Sequence, residues 1–235
     1  MSTYRLRHRA AAWGAHLYTA LGLPLAFVGV VALYAGNAPL FLTILWVATF
    51  IDSTDGALAR RVRVKEVLPQ FDGRRLADIV DYLNFVFLPA LALPALGLLP
   101  PGWEAVALLP LLASGYGFSQ DNAKTEESFV GFPSYWNIIV IYLFVMDANP
   151  LVTTAVITVL AVLVFVPIHY VYPNRTRFLR PVTFAIGIPW AAVFLSLCLM
   201  PEAPWAKQVA LVTLVFPVYY LVASLLHHRR IHQGK

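Results

Sequence analysis

The chain has 235 residues, 60% of them hydrophobic and only 12% charged. Its mean hydropathy is +0.71, and its charged share is about half that of an ordinary soluble domain. Apolar runs near the ~20 residues of a bilayer span recur from end to end. That excludes a soluble fold and points to an all-α polytopic membrane protein, expected as a single domain over residues 1-235. A net charge of +5 could suggest a nucleic-acid partner, but the placement of the basic residues argues against one. The one cysteine, Cys198, lies inside an apolar run, so neither a disulfide framework nor a cysteine-based zinc site is available. It reads as a small core hydrophobe.

At the start of the chain, Arg5, Arg7 and Arg9 precede an apolar stretch in the manner of a secretory signal. The run from Ala10 to Ala35 is longer than the ~7–15 residues of a signal core, and His16 interrupts it. The segment is therefore expected to be kept, as an amphipathic lead-in and a first span. Eight spans are expected in all: 13–34, 38–60, 74–97, 103–119, 133–147, 150–171, 181–200 and 204–227. With that count, 16 of the 17 Lys and Arg residues share one side. They are Arg5, Arg7, Arg9, Arg60, Arg61, Arg63, Lys65, Arg74, Arg75, Lys124, Arg175, Arg177, Arg180, Arg229, Arg230 and Lys235, and only Lys207 opposes them. The positive-inside rule then makes that side cytoplasmic, with both termini on it. The loops on the other side, 35–37, 98–102, 148–149 and 201–203, are too short to bind anything. Chemistry is expected at the longer cytoplasmic loops 61–73, 120–132 and 172–180. Prolines such as Pro94, Pro167 and Pro189 read as kinks that shape the bundle.

The informative stretch lies at the end of the second span. Asp52, Asp55, Gly56 and Ala59 recur at i, i+3, i+4 and i+7, so on a helix they share one face. Ionisable residues beside a membrane segment are costly and mark function by default. Two carboxylates one turn apart favour a hard divalent ion such as Mg²⁺ or Mn²⁺, which meets its substrates through phosphate oxygens. Gly56 leaves room for a nucleotide, and Arg60 offers charge to a phosphate. The plainer alternative is a helix-end acid pair balanced by Arg60, Arg61 and Arg63. On the next span Gly73, Ala77 and Asp81 lie at i, i+4 and i+8. Asp81 could therefore complete a two-metal site of the kind that clamps both oxygens of a phosphoryl displacement.

These residues resemble the signature of the CDP-alcohol phosphotransferases, D-x-x-D-G-x-x-A-R followed by G-x-x-x-D-x-x-x-D, across region 52-81. The gap of twelve residues between Arg60 and Gly73 is wider than the general pattern. With the runs Val64–Pro69, Gly131–Asn137 and Val166–Pro173, it is similar to the bacterial phosphatidylcholine synthases. The resemblance implies transfer of a phosphatidyl group from CDP-diacylglycerol to choline, with release of CMP. It implies two divalent ions, Mn²⁺ or Mg²⁺, held by Asp52, Asp55 and Asp81, and Asp81 also as the base that takes the alcohol proton. Gly56, Ala59, Arg60 and Gly73 would contact CDP; apart from the resemblance, Lys124, the only basic residue of the 120–132 loop, is placed to reach the diphosphate. The family bundle, a homodimer and a bacterial inner membrane with the active site facing the cytoplasm follow from the same likeness.

One position departs from it. The family carries a further aspartate, which bridges both metals, where this chain has Ala77. Asp78 is adjacent but rotated about 100° around the helix, so it would serve as a ligand only if the helix turns or unwinds locally. Ala77 is open to three readings: an inactivating replacement that traps a substrate complex, an enzyme that uses Asp78 instead, or an inactive relative.

Choline needs aromatic faces or carboxylates, and Tyr82, Phe85, Tyr116, Tyr135 and Trp136 are the candidates, against an ordinary interfacial aromatic belt. Asn84 and Asn137 would orient substrate or link helices, and His16 is expected to pack. His169 precedes the 172–180 arginine loop, which would hold a lipid phosphate or only water. The run from His227 to His232 reads as an interfacial tail. Two other functions stay open: the same chemistry on serine or another small alcohol, and a lipid-binding or cation-coupled transport protein.

Overall fold

The computed structural model describes residues 6–125, 127–173 and 175–233. Arg5 and Lys235, two of the basic residues counted above, lie outside them. Helices α1 (Leu6–Ala20) and α2 (Gly22–Tyr34) form a nearly continuous apolar stretch. The chain turns through Gly36, at φ +67°, into α3 (Ala38–Arg61). Asn37 caps that helix, its side-chain oxygen accepting from the Leu40 amide at 3.1 Å, and Pro39 fits the first turn because no amide is needed there. After the short α4 (Val64–Val67), Asp72 caps α5 (Gly73–Asp81) by accepting from the amides of Arg74 and Arg75 at 3.0 and 3.2 Å. Helix α5 passes directly into a π-helical segment, Tyr82–Phe87, and then α6 (Leu88–Ala95).

A 3₁₀ turn, Glu104–Ala107, leads into α7 (Leu108–Phe118). The remaining helices are α8 (Trp136–Val145), α9 (Pro150–Val164), α10 (Arg180–Leu199), α11 (Ala206–Thr213) and α12 (Val215–Gln233). Among the described residues, five stretches are long and apolar enough to cross a membrane: Leu6–Tyr34, Ala38–Arg61, Gly73–Ala95, Arg180–Leu199 and Ala206–Gln233. Three more apolar helices, Glu104–Phe118, Trp136–Val145 and Pro150–Val164, are shorter. Large apolar side chains such as Phe27, Leu112, Ile188 and Val212 are two-thirds exposed or more, which suits helices facing lipid and marks a multi-pass membrane protein.

The expectation of an all-helical chain needs one correction. Strand β1 (Ser128–Val130) pairs antiparallel with β2 (His169–Val171), Phe129 opposite Tyr170. Residues 169–171, expected within the sixth span, therefore belong to a strand. The reason is local: Pro167 cannot supply the amide a continuing helix needs, and α9 stops at Val164. Helix α12 then satisfies part of the strand's free edge. Ser224 Oγ accepts from the Val171 amide at 3.0 Å, and the Tyr220 hydroxyl donates to the Val171 carbonyl at 2.9 Å.

The main core gathers Phe41, Leu42 and Leu45 of α3 with Trp136, Val140 and Ile141 of α8 and Leu88 and Leu93 of α6. Polar ties run through it. Trp136 Nε1 donates to Ser114 Oγ at 2.8 Å, and Trp46 Nε1 donates to the Ala191 carbonyl at 3.0 Å. Asn84 Nδ2 donates to the Gly22 carbonyl at 2.9 Å and Asn137 Nδ2 to Thr49 Oγ1 at 2.7 Å. Both asparagines thus link helices in the core.

The turn into α8 depends on Gly131. Its φ of +83° is one that side chains resist, and a β-carbon there would collide with the Val164 carbonyl. Gly131→Ala is expected to destabilise the fold by about 2 kcal/mol or more. Gly36→Ala, at a similar φ but with open space around it, should cost about 1 kcal/mol. Unfolding midpoints of the two variants in detergent would measure the difference, and equal shifts would mean that the Val164 contact is not tight.

Candidate active site

The apolar stripe of α3 runs Phe41, Leu45, Ala48, and the same helical spacing continues it as Asp52, Asp55 and Ala59. The core-facing stripe thus becomes a row of carboxylates where the helix reaches the basic end of the bundle. Helix α5 brings a second row, Gly73, Ala77 and Asp81. The two rows meet at Asp52 and Asp81, whose carboxyl groups lie within side-chain contact of one another. Asp81 is buried, Asp55 and Asp78 are half-buried, and Asp52 is exposed at the mouth.

Each carboxylate except Asp52 is held by a named partner. Thr19 Oγ1 of α1 donates to Asp55 at 2.7 Å, and the neighbouring Tyr18 hydroxyl meets Thr54 Oγ1 at 2.8 Å. Lys124 Nζ donates to Asp78 at 2.7 Å and to Asp81 at 3.2 Å, and lies over the Phe118 ring, 5.2 Å from its centroid. Lys124 is placed by a small backbone lattice: the Val130 amide bonds the Ala123 carbonyl at 3.0 Å, the Thr125 amide bonds the Ser128 carbonyl at 2.9 Å, and Lys124 bridges Phe129. Burial works to lower the pKa of this ammonium, but the carboxylates of Asp81 and Asp78 outweigh it and hold the pKa above the ordinary lysine value. Asp78, which the helix geometry turns away from Asp81's face, is drawn into the cluster by Lys124 without any rotation of α5.

The remaining expected residues fall around this centre. Gly56 is half-buried, and the only group near a β-carbon there would be the Arg60 guanidinium, 3.3 Å away. The exposed Arg60 side chain therefore folds back over that glycine. Ala59 sits one turn further along the row. Gly73 serves packing directly: a β-carbon would stand 2.6 Å from His16 Cε1. His16 is buried between Trp13 and Phe71, with ring centroids 5.9 and 4.5 Å away, so it packs, as expected. Of the aromatic candidates, Trp136 and Phe85 are core residues. Tyr82 donates its hydroxyl to the Leu111 carbonyl at 2.9 Å, and Tyr116 pairs with Phe165 at 4.7 Å. Only Tyr135 remains beside the carboxylates. Sequence reasoning passed over Thr19 as a ligand-holding residue; its signal was a buried hydroxyl one turn past His16 on the helix that faces Asp55. It also passed over Phe129 and Tyr172, which the strand pairing brings to the site.

Among the described residues, no group of three or more His, Cys, Asp or Glu is arranged to hold a metal by itself. Asp52 and Asp55 nonetheless suit one Mg²⁺-type ion, since such ions take one or two carboxylates and complete their shell with water and substrate phosphate. A second ion fits poorly: Ala77 offers a methyl group, and Asp78 and Asp81 are already paired with Lys124.

The chain is 37% identical over 222 residues to the phosphatidylcholine synthase of Rhizobium johnstonii, covering 92% of this chain and 90% of that protein. It is 30% identical over 218 residues to the phosphatidylcholine synthase of Borreliella burgdorferi, covering 92% and 93%. The enzyme of the same name from Pseudomonas aeruginosa is 38% identical over 185 residues, 78% of each chain. No family model matches the chain.

Lys124→Met would leave the buried Asp81 and the half-buried Asp78 without their cation and is expected to destabilise the protein by about 1–2 kcal/mol at neutral pH. Because the lysine's folded pKa is raised, its contribution is complete below the ordinary lysine pKa and is lost as pH rises above it. Thermal unfolding of the parent and Lys124→Met should therefore differ at neutral pH and converge in strong alkali, where the lysine loses its charge, and again in acid, where its carboxylate partners lose theirs. Equal midpoints at neutral pH would remove the ion pairs from the account.

Proposed function

The chain belongs to the phosphatidylcholine synthase family, and we propose from this that it moves a phosphatidyl group from CDP-diacylglycerol to choline at the Asp52–Asp81 cluster. The observation that carries the reading is the meeting of the Asp52 and Asp55 face of α3 with Asp81 of α5 at the basic end of an apolar bundle. A lipid substrate with a charged diphosphate requires that arrangement: acyl chains in the membrane, phosphates at its edge.

In the reaction, the choline oxygen forms a new bond to the phosphatidyl phosphorus. The bond from that phosphorus to the CMP oxygen breaks, and CMP leaves with the electron pair. Asp81, buried and beside Asp52, is the group placed to take the hydroxyl proton. Asp52 and Asp55 would hold a divalent ion, which supplies charge neutralisation on the diphosphate. Thr19 fixes the Asp55 carboxylate, and Arg60 lies over Gly56 where the nucleotide approaches. Lys124 orders Asp81 through its ion pair and is close enough to share the diphosphate's charge. Ala77 is the single departure from the family signature, so turnover by the chain as it stands is expected to be low.

With the three shorter apolar helices also crossing, the chain would have eight spans, and the crowding of basic residues at the cluster's end supports a cytoplasmic active site with both termini on that side. A bacterial cytoplasmic membrane and a homodimer follow from the family likeness.

CMP release from CDP-diacylglycerol, with Mn²⁺ and choline, tests the reading in the parent and in Ala77→Asp. The substituted chain should be faster by about tenfold or more, and a chelator should abolish release from both. Release that ignores choline but follows serine would move the acceptor. Silence from both chains would leave lipid binding or transport as the function.

A further inference from the structure

Choline must present its hydroxyl to Asp81 while the protein grips a nitrogen that has no hydrogen to donate. Only aromatic faces or negative charge can do that. Most rings expected for the task are spent. Tyr82 is bonded to Leu111 and set edge-on against Phe118. Trp136 has no exposed surface and Phe85 only 8%.

Tyr135 is half-buried, and two further rings stand with it. Phe129 of β1 meets Tyr135 edge-to-face, with centroids 6.3 Å apart at 83°. Tyr172, just past β2, stacks on Phe129 at 4.3 Å and 27°. All three rings are half-buried: Phe129 and Tyr135 pack one side against the core, Tyr135 meeting Tyr220 at 5.8 Å, and each keeps part of its surface open. Tyr135 and Tyr172 are both within electrostatic reach of Asp52, and Tyr172 also feels Asp81. Burial, and then the charge of Asp52, hold the Tyr172 phenol above its ordinary pKa. The nearest competing ammonium, Lys124, is already paired with Asp78 and Asp81. Among the described residues, one cation lies against these rings: the guanidinium of the exposed Arg175 stands over Tyr172, 5.1 Å from its centroid.

We propose that Phe129, Tyr135 and Tyr172 form the subsite for the quaternary ammonium of the acceptor alcohol, Arg175 being the cation displaced from Tyr172 when it binds. This rests on the phosphatidylcholine synthase reading above. The strand pairing gives the subsite its rigidity and ties it to the base. The segment that carries Phe129 also bridges to Lys124, the partner of Asp81, so one short sheet ties Phe129 to the lysine that pairs with the proton acceptor.

The test uses the full chain with Ala77→Asp, in lipid nanodiscs, and compares Phe129→Leu, Tyr172→Leu and Tyr172→Phe. The readouts are the KM for choline, the KM for CDP-diacylglycerol, and competition by the neutral carbon isostere of choline, dimethylbutanol. Each leucine variant is expected to raise the choline KM about tenfold and to lose the preference for choline over the isostere. The KM for CDP-diacylglycerol should hold, which also shows that the variants fold. Tyr172→Phe, which keeps the ring, should behave like its parent. Leucine variants that make phosphatidylcholine with an unchanged choline KM and an undiminished preference for the cation would overturn the subsite. If Ala77→Asp itself releases CMP without any dependence on choline, the phosphatidylcholine synthase reading fails first and the subsite with it.

Discussion

Carboxylates at the edge of an apolar bundle are costly unless something neutralises them, and this constraint organises the basic end of the protein. Asp52, Asp55, Asp78 and Asp81 stand on two helices that would otherwise repel one another there. Thr19 donates to one of them and Lys124 to two, while the exposed Asp52 is left to solvent or ligand. Helix α1 and the loop before β1 are therefore as much part of the site as the two rows of acids.

Several features far from the acids follow from the need to place those partners. Gly73 lets His16 of α1 approach α5 closely, and that contact seats Thr19 against Asp55. Gly131 turns the chain from β1 toward α8, Pro167 follows the end of α9, and the β1–β2 pairing between them fixes the segment that presents Lys124. The π-helical segment Tyr82–Phe87 begins at the residue after Asp81. Its extra residue per turn shifts the register between the active-site half of that helix and its lipid-spanning half, as such segments often do beside functional sites. Buried Asn84 lies within it and ties it to Gly22.

Much of this was legible in the sequence because it rests on spacing. The i, i+3, i+7 and i, i+4, i+8 patterns located Asp52, Asp55 and Asp81 on facing rows, and long apolar runs located the helices that carry them. What was not legible depends on partners distant in sequence. Lys124 reads as a lone loop cation until the fold sets it against Asp78 and Asp81. Asp78 appears turned away until that lysine reaches it. Phe129 and Tyr172 lie in polar loops with no periodic signal, and a three-residue strand such as His169–Val171 is too short to interrupt the apolar run that resembled a full span. The burial of Trp136 and Phe85 was not legible either, because aromatic type does not tell whether a ring faces a cavity or the core.

Anomalous scattering from Mn²⁺ in the protein bound to CDP-diacylglycerol tests the central claim most directly. The account predicts a metal peak between the diphosphate and the carboxylates of Asp52 and Asp55, with Lys124 still close to Asp81. A diphosphate bound elsewhere, or a metal peak remote from those two aspartates, would contradict it.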